Sequence, residues 1–288
     1  MLILQALLNG ILLGGVYATF SAGFSLIFGV MGVVNIAHGE MIMLGAFVTY
    51  YLFHLLGLDP FISLPISFGL MFLLGYLLQR LVINRVIGAP PIMSYILTFG
   101  LHLVIANVAL LAWTADPRTI TTAYSGASLS LGPLHLPVVQ GVTFLFCLGI
   151  IYGLHFLLHR TQVGRAIQAT AQDREMARLM GINVGRIFAL TFGLGAGVTA
   201  LAGSLVAAFR HVEVGMGLPY TVIAFCVVVL GGMGYIPGAL VGGLILGVVG
   251  SVSTAIFTPG WSMAITFFLL YLMLLFRPAG VTGKGIVE

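Results

Sequence analysis

Residues 3–28 read ILQALLNGILLGGVYATFSAGFSLIF: twenty-six positions without one charged side chain. A helix that crosses the hydrocarbon of a bilayer needs about 20 mostly apolar residues, and this run is longer than that. Outward from it the pattern repeats. Further spans are predicted near 36–56, 61–82, 92–113, 138–158, 187–209, 219–233, 238–257 and 261–276. The connections carry helix-stopping chemistry at Gly57 to Pro60, Pro90-Pro91, Asp116-Pro117, Gly132 to Pro137 and Pro259-Gly260. The fold class is an all-α polytopic bundle of about eight or nine spans in one transmembrane domain, 1–288. Two spans are candidates for discontinuous helices: the first, which runs through glycines into GVMGVVNIAHGE, and the seventh, which is short and ends in GGMGYIPG.

The whole chain agrees. Of its 288 residues 60% are hydrophobic and 6% charged, with a mean hydropathy of +1.17. A soluble domain carries about 25% charged residues, so this chain could not clothe a water-facing surface. Its formal charge of +4 does not indicate nucleic acid, because the basic residues lie in the connections between apolar spans. Those residues orient the bundle. Arg80 and Arg85 share one connection; Arg160, Arg165, Arg174, Arg178 and Arg186 share another; Arg277 and Lys284 lie in the C-terminal tail. The positive-inside bias makes those three segments, and the C-terminus, cytoplasmic. The stretch 114–137, Asp59 and the Arg210–Glu213 turn then face outward, and the side of the N-terminus depends on whether the first span crosses fully. MLILQALLNG has no basic leader and reads as a retained span. Cys147 and Cys226 each sit alone in an apolar run and read as buried free thiols.

Few residues offer chemistry. Asn35, His38 and Glu40 fall within six positions between two apolar spans. Either they cap the next helix at the membrane surface, or they hold a broken helix together or line a pathway, since charge inside a membrane is costly and seeks a partner. Ser94, Tyr95 and Thr98 form a modest polar face that touches a solute or is closed by intrahelical hydroxyl bonding. His155 and His159 read as interfacial anchors, with no carboxylate or cysteine beside them to make a metal site. The connection 159–186 is the most unusual segment. Within it AQDREMARLMGI reads as a short amphipathic helix ended by Gly181, with Met176, Leu179 and Met180 on one face and Arg174, Glu175 and Arg178 at the rim. It is either a basic linker lying on anionic lipid or a docking helix for a cytoplasmic protein. YATFSAGFSLIFGV and FALTFGLGAGVTALAG are loosely alike, as the internal repeats of transporters are. No phosphate-binding Gly-x4-Gly-Lys-Ser/Thr element occurs, so the chain is not expected to bind ATP by that device.

At these motifs the sequence resembles the permeases of high-affinity branched-chain amino-acid ATP-binding-cassette importers, of the shorter, LivH type. The resemblance rests on three stretches: LNGILLGGVYATFSAGFSLIFGVMGVVNIAHGEMIMLGAF, TQVGRAIQATAQDREMARLMGINVGRIFALTF and VVVLGGMGYIPGALVGGLILG. It implies an inner-membrane translocation subunit that is not itself an enzyme and holds no cofactor. The implied partners are a second, related permease, two cytoplasmic ATPase subunits carrying ATP and magnesium, and a periplasmic solute-binding protein. It also implies that Asp173 to Gly181 is the segment seated on an ATPase. Relatives of this kind import leucine, isoleucine and valine, or urea, short amides or aromatic acids.

Overall fold

The computed structural model describes residues 1–131, 134–257, 259–277 and 280–282; Lys284, assigned to the tail, and Gly132-Pro133 of one connection lie outside the described residues. Nine apolar helices build the bundle: α1 (Leu2–Met31), α2 (His38–Leu56), α3 (Leu64–Leu81), α4 (Pro91–Trp113), α5 (Val138–Arg160), α8 (Val184–Ala207), α9 (Gly217–Gly231), α10 (Ile236–Ile256) and α11 (Pro259–Phe276). Two short helices, α6 (Gln162–Gln172) and α7 (Arg174–Leu179), occupy the basic connection. Eight of these elements are long and apolar enough to cross a membrane, and Gly260–Phe276 is a shorter apolar helix. A small hairpin of β1 (Ser128–Leu131) and β2 (Leu134–Pro137), which no periodicity in the sequence announces, closes the connection before α5.

The bundle is inverted relative to a soluble protein. Leu70, Leu73, Phe99, Leu103, Tyr152 and Phe268 are exposed on α3, α4, α5 and α11, where lipid satisfies them. Spans of comparable hydropathy do not sit alike: 94% of the spanning window of α8 is buried but only 17% of that of α4. The reason is glycine. α1 and α8 present small residues on several faces, so neighbouring backbones close in on every side. A Cβ on Gly14 would lie 2.8 Å from the Leu244 Cα, and one on Gly197 would lie 2.7 Å from the Phe68 ring. Where α1 crosses α8, a Cβ on Gly23 would lie 2.6 Å from the Gly195 carbonyl oxygen, and one on Gly195 would lie 2.9 Å from that of Gly23.

These contacts reveal an inverted pair. α1, α2 and α3 run through the bundle in the opposite sense to α8, α9 and α10. Each trio has a long helix, a break, a helix that starts part-way through the bundle, and a return helix. The long helix of each packs most extensively on the return helix of the other, α1 on α10 and α8 on α3. The two loosely similar stretches seen in the sequence are the crossing parts of α1 and α8.

α1 is continuous, which settles its course. Its far end is tied to the β-hairpin, where Gln5 Nε2 donates to the His135 carbonyl at 2.7 Å and the His135 N–H donates to Gln5 Oε1 at 2.9 Å. Its C-terminus meets Arg174 of the basic connection. The N-terminus therefore lies at the end of the bundle opposite the basic loops, and the discontinuity comes after the first helix rather than within it. Cys147 and Cys226 are buried free thiols.

Candidate functional site

α1 ends at Gly32, which adopts the left-handed φ of +64° that glycine takes without strain and returns its N–H to the Phe28 carbonyl at 2.8 Å. The chain then turns back into the bundle. Residues 32–37 can span at most about 20 Å, close to the ~16 Å that the eleven steps from Phe20 to Met31 cover along a helix. They bring His38, the first residue of α2, level with Phe20. Its Nε2 lies 2.9 Å from the Phe20 carbonyl, which can only accept, so Nε2 carries the proton. Thr199 Oγ1 of α8 lies 3.1 Å from the same nitrogen.

Irregular backbone at membrane depth is tolerated only where protein satisfies its polar groups, and two hydroxyls do this here. Thr98 Oγ1 accepts the Ile36 N–H at 3.3 Å and lies 3.1 Å from the Val34 carbonyl. Thr221 Oγ1 accepts the Gly39 N–H at 2.8 Å and lies 3.1 Å from the Ile36 carbonyl. Asn35 Oδ1 accepts the Ala37 N–H at 3.1 Å. Glu40 Oε1 lies 2.8 Å from Nδ1 of His102 on α4. This is the one contact between an acidic side chain and a basic or imidazole one among the described residues, and both partners are buried. α9 starts against this knot: a Cβ on Gly39 would run into the Gly217 carbonyl oxygen, and one on Gly217 would run into the Glu40 carboxylate. The two helices thus start back to back. Asn35 Nδ2, His38 Nδ1 and Glu40 Oε2 are buried without a partner, a costly state that marks the break as more than a packing element.

The structure therefore brings Asn35, His38, Glu40 and Thr98 together, with Ser94 buried one turn before Thr98 on α4. Four contributors escaped the sequence reading: His102, Thr199, Thr221 and Gly217. His102 had a signal, for Ser94, Thr98 and His102 recur every fourth residue and share one face of α4. The other three carry none, because nothing local tells which hydroxyl or glycine will meet residues some 160 to 180 positions away.

The second constellation lies at the basic end. Asp173 caps α7, accepting the N–H groups of Glu175 at 2.8 Å and Met176 at 3.0 Å. Gly181, with φ +82°, ends it. Ala177 is buried beneath, while Met176, Leu179 and Met180 are 59%, 80% and 83% exposed, and Glu175 and Arg178 surround them. Arg174 differs from its expected place on the rim. It points inward, donating through Nη2 to the Met31 carbonyl at 2.8 Å and lying 5.3 Å above the Phe188 ring. The end of α1 offers unpaired carbonyls and negative dipole, and a cation four positions before Arg178 is near enough to take them.

The sequence has known counterparts. Residues 6–274 match the family described as the permease component of branched-chain amino acid transport systems. The chain belongs to that family. The permease is 32% identical to the high-affinity branched-chain amino acid transport system permease protein BraD of Pseudomonas aeruginosa, across 99% of this chain and 97% of that one. It is 31% identical to the permease protein LivH of Escherichia coli K12, with the same coverages. A probable branched-chain amino acid permease of Methanocaldococcus jannaschii is 25% identical over 96% of this chain and 91% of its own length. The permease is thus a multi-pass membrane subunit of a transport system.

Proposed function

We propose that this permease is the translocation subunit of an ATP-binding-cassette importer that carries branched-chain amino acids, or closely similar solutes, across the bacterial inner membrane. ATP and magnesium act on two cytoplasmic partner ATPases, a second related permease completes the pathway, and a periplasmic binding protein delivers the solute. The basic end of the bundle, with the C-terminus, faces the cytoplasm.

The observation that carries this reading is α7. Three large apolar side chains stand exposed at a basic, water-facing end, where no lipid core would cover them, and exposed apolar patches of that kind mark interaction sites. The helix that bears them is braced by Arg174 on the end of α1. Movement of a protein seated on α7 is therefore transmitted to Met31 and on to the 32–37 return, at whose far end Asn35, His38 and Glu40 lie. Asp173, Arg174, Glu175, Met176, Arg178, Leu179, Met180 and Gly181 form the docking unit; Asn35, His38, Glu40, Ser94 and Thr98 form the break beside the pathway.

The test is reconstitution in vesicles. Uptake is expected to require ATP and every partner subunit, to stop with vanadate, and to be absent with the permease alone, which should hydrolyse no nucleotide. Uptake by the permease alone, driven by an ion gradient, would overturn the reading.

A further inference from the structure

At the end of the bundle opposite the basic loops, two cavities adjoin. The larger, about 840 Å³, lies among the starts of α1 and α5 and the end of α10; the smaller, about 610 Å³, lies under the 208–216 return and the start of α9. Tyr17, Gln140, Phe209 and Arg210 wall both. Two charges of opposite sign, Arg210 and Glu213, line the smaller one only three positions apart, yet they do not pair with each other. Arg210 is held at the cavity by a hydrogen bond to the Tyr220 hydroxyl, which leaves the rest of its guanidinium for a ligand. The other arginine at this end is fully engaged: Arg118 donates to the Tyr51 hydroxyl and the Trp113 carbonyl, both at 2.6 Å, and lies among the rings of Phe47, Tyr50 and Tyr51. The same cavity is also lined by the apolar side chains of Ile120, Val139, Met216 and Ile223 and by the polar ones of Thr119, Ser125, Gln140 and His211. The floor is aromatic. Tyr17, Phe20 and Tyr220 stand ring to ring at 5.6 and 5.7 Å, and the Phe20 carbonyl is the one that holds His38.

We propose that this vestibule is a transient station for a zwitterionic α-amino acid with an apolar side chain. Arg210 takes the carboxylate, Glu213 the ammonium group, and the apolar lining the side chain, above an aromatic floor that rests on the helix break. The proposal rests on, and deepens, the transport reading above. Its chemistry is selective. In an α-amino acid both charges are borne on one carbon, so a recognising site needs a cation and an anion at one cavity; Arg210 and Glu213, which line the same one, supply them. A guanidinium matches a carboxylate in a planar, two-point fit. A lone cation would favour simple acids and a lone anion amines, while urea or an amide would need neither. Both groups are reached by water, which keeps the station weak, as suits a site that must release its occupant.

The experiment uses the complete transporter in nanodiscs without the binding protein, probed by saturation-transfer NMR. The probes are L-leucine, isocaproate, which lacks the ammonium group, and isoamylamine, which lacks the carboxylate. Leucine is expected to give the strongest signal. Arg210→Gln should lower the leucine and isocaproate signals at least fivefold and spare isoamylamine; Glu213→Gln should lower leucine and isoamylamine and spare isocaproate. Arg210→Lys, which keeps the charge, should retain more than Arg210→Gln does. In vesicle uptake with the binding protein present, Arg210→Gln should lower the maximal rate several-fold at unchanged half-saturation. Wild-type signals and rates in both Gln variants, or an equal loss for all three probes, would overturn the station. ATP-driven import of an uncharged amide alone would overturn it and leave the permease reading standing. Uptake without partner subunits would do the reverse.

Discussion

Two short polar motifs punctuate this apolar chain, and the bundle uses them in opposite ways. Asn35 to Glu40 is buried at membrane depth, where Phe20, Thr98, His102, Thr199 and Thr221 hold it from four other helices. Asp173 to Gly181 lies in the basic connection, and its large apolar side chains, Met176, Leu179 and Met180, are exposed while Ala177 packs inward. The first motif is a stability element at which charge and backbone have no water to fall back on. The second is nearly free of the fold except through Arg174 and Ala177. Two polar motifs placed in different surroundings are therefore expected to respond differently to substitution, the first in stability and the second in transport.

The sharpest way to break this contrast is at His102. His102→Ala leaves the Glu40 carboxylate buried without its partner, a change expected to cost about 3–5 kcal/mol. The variant should show a strongly lowered thermal transition in detergent, or little folded protein. A cycle with Glu40→Gln should recover part of the loss, because the two side chains act as one unit. Wild-type stability of His102→Ala would mean that the break is solvated and that the contrast fails.

Arg174→Ala should fall between the two motifs. It removes a charge-assisted hydrogen bond to Met31, a class worth about 1.5–3 kcal/mol, in a half-buried setting that places it at the lower end. Folding should survive with a modest fall in the thermal transition, while ATP hydrolysed per solute imported should rise. Unchanged coupling with lowered stability would make Arg174 a plain helix cap.

Leu179→Asp should barely move stability, within about 0.5 kcal/mol, as exposed positions do. It should nevertheless release the ATPase subunits, seen in co-purification, because a few apolar side chains dominate such contacts. Retained association and uptake would make 159–186 a basic linker only.

Much of the architecture was legible beforehand. Lipid demands long apolar helices, so hydropathy alone marked spans that differ from the observed helices by three residues or fewer at their ends. Gly181 announced the end of α7, while the break at Asp173, which gives Ala171 and Gln172 to α6, was not legible. The break was legible in kind but not in detail. That NIAHGE interrupts two spans is plain in the order of residues, but His38 meeting Phe20 depends on the return of 32–37, which no periodicity encodes. The same holds for the inward turn of Arg174, since a six-residue helix shows which face a residue lies on but not what stands behind it.

By itself the order of amino acids determined the solvent, the rough limits of the apolar helices, and the family, because these depend on local hydropathy, turn chemistry and motifs contiguous in the chain. Tertiary structure alone decided which polar group meets which. The pairing of Glu40 with His102, the back-to-back start of α2 and α9 at Gly39 and Gly217, and the separate fates of Arg118 and Arg210 depend on helices distant in sequence closing to backbone contact. At those distances the geometry is set by glycine packing summed over several interfaces, and no local pattern carries that sum.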